Sequence, residues 1–262
     1  MSSSFKIPAP LTRAGRSGLS ALMIGLLAAG AFAGQNTSAS RPRKAGRTVA
    51  RVKKAATGPS TIRGIEQALS DLGYWTGPVD GKWDEDSRHA LIAFQKVELR
   101  KITGRPSDKE LRVLSSAARP EAREGGEAHI EIDLRRQVLF MVNGSGQVSK
   151  VLPISTGSGE EFTSEGWTRS AITPRGRFRV SRKIEGWRES PLGMIYYPVY
   201  FLGGIAIHGY PSVPTRPASH GCVRIPMFAA KEFNEMVAEG TRVIIHDGGP
   251  SDSRDEDPAL RP

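Results

Sequence analysis

The chain has one cysteine in 262 residues, Cys222, so no intramolecular disulfide can staple its fold. Acidic residues are missing from residues 1–60, and this absence accounts for the whole formal charge of +10. Beyond residue 60 the basic and acidic side chains are equal in number, which removes the charge imbalance a nucleic-acid-binding surface would carry. No apolar run reaches the ~20 residues needed to span a bilayer. The nearest, residues 19–32, comes after Lys6, Arg13 and Arg16 and ends in Ala31-Phe32-Ala33. That order is the pattern of a secretory signal with a small-residue cleavage site, so residues 1–33 are expected to direct export and to touch a membrane only transiently. Cleavage after Ala33 is the expectation, with a retained signal-anchor as the alternative.

The chain beyond Ala33 divides into segments of distinct pattern. Residues 34–60 are basic, rich in small and polar residues and without hydrophobic periodicity, which describes a disordered linker. It reads as a solvated spacer or as a segment drawn to anionic polymers or lipid headgroups. Over residues 61–117 the period becomes helical: Ile62, Ile65, Leu69 and Leu72, then Ala90, Leu91, Phe94 and Val97, then Leu111 and Leu114. Asp84 to Ser87 offer N-caps, and Ser107 with Glu110 forms a capping box, so a three-helix bundle is expected. Tyr74, Trp75 and Trp83 read as its core rather than as a sugar platform, and Asp80 as a turn former.

Residues 118–128 are polar and read as an interdomain linker. From residue 129 the period is two: Ile130, Ile132 and Leu134, then Val138, Phe140 and Val142, a turn at Asn143-Gly144, and a return over residues 148–154. Further runs at 177–180, 196–202, 205–208 and 242–246, with one helix near 229–238, predict a mainly β domain over residues 129–247 of β-sandwich class. Residues 158–172 are too long for a tight turn and read as a lid or as a surface loop. Residues 248–262 have no apolar pattern and are expected to be a disordered tail.

The chemistry concentrates in HGYPSVPTRPASHGCVRI, residues 208–225. A thiol near histidine is a candidate nucleophile, because the thiolate attacks and an imidazole can generate it. Gly221 directly before Cys222 lets a carbonyl approach the backbone while neighbouring N–H groups face its oxygen. His208, at the end of a predicted strand, can serve as base. No cofactor or metal is implied, since neither a carboxylate nor a helix-borne histidine pair reinforces a zinc site at His208, His220 and Cys222. The order also weakens a papain-like reading, because here the histidine precedes the cysteine.

Ile207-His208-Gly209 together with the later SHGCVRI resembles the L,D-transpeptidase (YkuD-type) family, as do Ile154-Ser-Thr-Gly157 and Thr173-Pro-Arg-Gly-Arg-Phe178. LGYWTGPVDGKW with the later ALIAFQ resembles the peptidoglycan-binding domain family. The first resemblance implies an L,D-transpeptidase-type β-sandwich in which Cys222 is the nucleophile and His208 the proton donor and acceptor. His220 and Gly221 then hold the oxyanion or position the loop, while Ser219 and Arg224 contact substrate. Arg224 stands where many members have asparagine, and Tyr197, one of three tyrosines read as packing residues, is the candidate to line the groove. The implied partners are peptidoglycan stem peptides and glycan, in the cell wall or periplasm, with the helical module serving retention. The implied reaction is cross-linking from a stem tetrapeptide with release of D-alanine. Hydrolysis by water, or wall binding without catalysis, is the alternative, and carbapenems are the β-lactams expected to trap the thiol.

Overall fold

The structure, a computed structural model, describes residues 58–164 and 166–248. The expected signal, almost all of the basic linker, Glu165 and the tail beyond Gly248 lie outside the described residues.

Three helices come first: α1 (Pro59–Asp71), α2 (Glu85–Val97) and α3 (Asp108–Leu114). Asp84 caps α2 by accepting from the Ser87 N–H at 2.9 Å, and Ser107 caps α3 by accepting from the Glu110 N–H at 3.2 Å. The turn between α1 and α2 is held from inside, since buried Glu66 accepts from the Gly81 N–H and the Ser87 hydroxyl. Asp80 forms the expected turn, accepting from the Lys82 N–H at 2.8 Å.

The strands are β1 (His129–Asp133), β2 (Val138–Val142), β3 (Val148–Pro153), β4 (Glu161–Ser164), β5 (Trp167–Ser170), β6 (Gly176–Arg179), β7 (Arg182–Lys183), β8 (Trp187–Ser190), β9 (Gly193–Leu202), β10 (Ile205–Gly209) and β11 (Val223–Ile225). Helix α4 (Met227–Met236) and strand β12 (Arg242–His246) close the fold. One sheet runs β3-β2-β1-β12-β6, with β1 and β12 parallel. The second runs β11-β10-β9-β7, with β8 also paired to β9 and with β10 and β11 parallel. Ile130, Ile132, Leu139 and Leu152 from the first sheet meet Val199, Ile207, Val223 and Ile225 from the second, and Ala230 and Phe233 of α4 complete that core. Among the described residues, no helix is long and apolar enough to cross a membrane.

The helical module is not a bystander joined by a tether. Val138, Phe140, Val142, Val148 and Val151 face away from the sandwich core and share a second core with Ile65, Leu69, Leu91, Phe94 and Leu114. Strand β2, VLFMV, is therefore buried on both faces, which is why it is apolar at every position. The turn after α1 also pairs with the edge of the sheet: the Trp75 N–H donates to Val151 O at 3.1 Å and the Val151 N–H to Gly73 O at 2.9 Å. An open edge strand would otherwise leave these groups unpaired. Tyr74 is 2% exposed and Trp75 5%, as expected of core residues, yet Trp75 belongs to the sandwich core rather than to the bundle's own.

Residues 118–128 likewise pack as a strap. Arg119 donates to Val148 O and to Asp71 O. The N–H groups of Arg123 and Glu124 cap the buried Glu131 carboxylate at 2.8 and 2.7 Å, and the Glu124 carboxylate pairs with Arg177 of β6.

A shared core makes unfolding of module and sandwich one event. Phe140→Ala, which empties the contact between β2 and the helices, should lower stability by about 3–5 kcal/mol. Thermal unfolding monitored by far-ultraviolet circular dichroism and by tryptophan fluorescence should give coincident single transitions, in the wild type and in the variant. Two separated transitions would show two independent domains.

Candidate active site

The site is built on the parallel pairing of β10 with β11, in which Ile207 lies opposite Val223, His208 opposite Arg224 and Gly209 opposite Ile225. Opposed residues of a parallel pair present side chains to the same face, and the face repeats every second residue. Ile207, Val223 and Ile225 point into the core and are fully buried. His208 and Arg224 consequently share the other face. Cys222, two residues before Arg224 at the entry of β11, shares it with them.

His208 is 3% exposed, and its Nδ1 lies 3.0 Å from Gly209 O. A carbonyl can only accept, so Nδ1 carries the proton and Nε2 keeps a free lone pair. Burial pushes the imidazole down to about 4; the Gly209 hydrogen bond opposes that shift and the Arg224 charge adds to it. The Cys222 thiol is pushed above its ordinary value, chiefly by burial, against the pull of the Ala206 backbone hydrogen bond and of Arg224. Its Sγ is 3.8 Å from Gly204 O. Both shifts favour the uncharged forms, a thiol and a neutral imidazole.

The loop carrying Cys222 is tied from two sides. Thr156 O accepts from the N–H groups of Ala218 and Ser219, both at 2.9 Å, and Ser155 exchanges a pair of backbone hydrogen bonds with Arg224. On the other side the Gly157 N–H donates to Thr173 Oγ1 at 2.9 Å, and that hydroxyl donates to Gly221 O at 2.7 Å. Gly157 tolerates no side chain, because a Cβ there would stand 2.2 Å from Ala171 O. Gly221 has φ +128° and is needed for its backbone conformation. The two segments noted in the sequence, Ile154 to Gly157 and Thr173 to Phe178, are therefore the clamps of the loop.

The expected site residues divide on this geometry. Ser219, assigned to substrate by resemblance, spends its hydroxyl within the loop: Oγ accepts from the Gly221 N–H at 3.0 Å and donates to Cys222 O at 2.5 Å. The Gly221 amide is occupied by that bond, which leaves it a positioning part. Arg224 lies beside His208 with its guanidinium 4.2 Å from the Tyr210 ring centroid. The exposed His220 ring packs 4.7 Å from Phe162 of β4. Tyr197 has φ +47°, packs against Tyr196 and the sandwich core, and its carbonyl accepts from Asn234 of α4. Sequence reasoning missed Tyr210, whose ring is 5.9 Å from that of His208 and edge-on to it. The expected long loop at 158–172 is a hairpin of β4 and β5, sewn to the Cys222 loop at its base by the Ser158 N–H on Ser219 O.

This architecture defines a β-sandwich that presents one thiol and one neutral imidazole on a common face, with a helical module built onto its first sheet. A family model of the L,D-transpeptidase catalytic domain, YkuD, matches residues 127–245, and a model of the peptidoglycan binding domain matches residues 59–114. The crystal structure of an L,D-transpeptidase from Xylanimonas cellulosilytica DSM 15894 is 36% identical over 73% of this chain and 95% of that one, with TM-score 0.68. An L,D-transpeptidase from Stackebrandtia nassauensis is 22% identical over 73% of this chain and 93% of its own, with TM-score 0.41. One from Mycobacterium smegmatis is 22% identical over 47% and 59%, with TM-score 0.38. No curated protein matches the chain. The family model and the Xylanimonas structure place the chain in the L,D-transpeptidase family, as a peptidoglycan-acting enzyme with an N-terminal peptidoglycan-binding domain.

Burial of neutral histidine makes acid a denaturant. His208 and His89 both lie near 4 in the folded state, against about 6.5 when unfolded. As pH falls through that window the unfolded chain takes up protons first, so stability should drop from about pH 6.5 to about pH 4. Urea titrations across this range should show the slope, and His208→Asn should flatten it. An unchanged slope in the variant would mean that His208 charges freely in the folded protein.

Proposed function

We propose that the enzyme forms peptidoglycan cross-links by acyl transfer through a thioester on Cys222. The observation that carries the reading is the placement of Cys222 and His208 on one face of the β10–β11 pair, with Arg224 acting on both and His208 Nε2 left to accept a proton. The donor is a stem tetrapeptide. His208 Nε2 takes the thiol proton as sulfur attacks the carbonyl of the third residue, the carbon–sulfur bond forming as the carbonyl π electrons move onto oxygen. Collapse expels the D-alanine amine, which receives the proton from His208. An amine of a neighbouring stem then attacks the thioester, His208 accepts its proton, and as the carbon–sulfur bond breaks His208 returns that proton to sulfur and the thiol is restored.

A neutral pair suits this sequence, because proton transfer accompanies attack and no thiolate has to be maintained in a half-buried site. The amides of Ser219 and Gly221 are already donated within the protein, so the oxyanion falls to the N–H groups of His220 and Cys222. Arg224 helps by disfavouring a charged imidazole at rest. The helical module and an N-terminal export signal put this chemistry at the wall.

Intact-protein mass spectrometry with a tetrapeptide stem and an amine acceptor tests the reading. It should show an acyl adduct on Cys222, released D-alanine and a cross-linked product, and Cys222→Ala should show none of these. Adduct formation with a carbapenem should slow by ~10² to 10⁴-fold in His208→Ala, the usual span of general-base help. Hydrolysed donor without cross-linked product would make the enzyme an L,D-carboxypeptidase. Equal adduct rates in wild type and His208→Ala would move the base elsewhere.

A further inference from the structure

Lys96 belongs to the last turn of α2, in the helical module, yet its ammonium is buried in the catalytic sandwich. The side chain is 3% exposed, and Nζ donates to Gln137 O at 2.9 Å and to Ile154 O at 3.0 Å. Burying an ammonium is costly, and burial here lowers it to about 7. An apolar side chain would fill the same space without that cost, so the contacts themselves need an explanation.

Both acceptors lead to Cys222. Gln137 sits in the turn between β1 and β2 at φ +55°, a conformation unusual for a side chain of its kind. Its carboxamide brackets one residue: Nε2 donates to Thr156 Oγ1 at 2.7 Å, and Oε1 accepts from the Thr156 N–H at 2.9 Å. Thr156 O is in turn the acceptor for the amides of Ala218 and Ser219. Ile154, the second acceptor of Lys96, opens the same clamp two residues before Thr156. Gln137, Thr156 and Ser219 are all buried, at 4%, 2% and 2% exposed.

We propose that Lys96 is a positioning residue through which the peptidoglycan-binding module sets the geometry of the catalytic loop, by way of Gln137 and Thr156. The effect on catalysis rests on the reading of Cys222 as nucleophile, whereas the effect on the loop does not. The module then has a part in turnover besides retention at the wall: whatever shifts α2 against the sandwich shifts the carbonyls that hold Ala218 and Ser219. Small displacements of a nucleophile cost as much as ~10²-fold in rate.

The test uses the mature full chain as wild type, Lys96→Met, Gln137→Asn, and Lys101→Met as a control on an exposed lysine of the same module. Asparagine tolerates positive φ but is one methylene too short to bracket Thr156. Two readouts are taken: amide hydrogen exchange over residues 216–222 compared with β1 and β12, and kcat and KM for D-alanine release from the tetrapeptide. Lys96→Met should exchange about tenfold faster in the loop alone, and its kcat should fall by ~10 to 10²-fold with KM little changed. Gln137→Asn should do the same, and it decides the question if Lys96→Met does not fold. Loop exchange and kcat equal to those of Lys101→Met, or exchange that rises evenly across the sandwich, would overturn the proposal. If the wild type releases no D-alanine while the loop of Lys96→Met still loosens, the positioning stands and the functional reading fails.

Discussion

The parallel pairing of β10 and β11 is the constraint on which the site depends. Parallel neighbours require a crossover of a dozen or more residues, and here thirteen, from Tyr210 to Cys222, make it without a helix. A crossover of that length with little apolar content cannot bury itself. It must be tied down by hydrogen bonds from elsewhere, and the ties come from Ser155, Thr156 and Thr173. The same pairing delivers His208 and Cys222 to one face from opposite ends of the crossover. A one-residue slip would turn either side chain into the core.

The electrostatics are set by that burial. His208 is enclosed by its own strand pair, so its neutral form is favoured and its tautomer is selected by the Gly209 carbonyl. Cys222 is only half-buried, and desolvation still favours its thiol form. Arg224 faces both, and its positive charge disfavours imidazolium while favouring thiolate. The site at rest therefore favours a thiol beside a neutral imidazole. The module adds a second layer of restraint, because the first sheet is sandwiched between two cores and Lys96 reaches through to the clamp.

Much of this was legible in the sequence, and the parts that were not share a physical cause. Cys222, His208 and the SHGC segment stood out because glycine and proline around a thiol serve backbone geometry. Long strands with alternating or continuous apolar residues were readable, and so were the capped helices. Strands β4, β5, β7 and β8 were not, because EFTS, WTRS, RK and WRES are short and mostly exposed, held by pairing rather than by burial. The run VLFMV carried a signal that alternation alone obscures: a strand apolar at successive positions has both faces covered, which foretells the docking of the helices. Lys96 gave no signal at all, since a lysine in a helix's last turn looks like a solvated dipole partner. Ser219 was placed by resemblance and Tyr197 as one of three tyrosines read as packing residues, and only the three-dimensional contacts show how each is spent.

The most direct measurement of the central claim, a neutral thiol beside a buried neutral base, is the pH dependence of Cys222 alkylation by iodoacetamide, which reads thiolate at a single position because the chain has one cysteine. The account predicts a rate that stays low through neutral pH and rises with a midpoint above about 8.5, the value of an ordinary thiol. A midpoint below about 7, well under that ordinary value, would mean a resting thiolate–imidazolium pair and would contradict it.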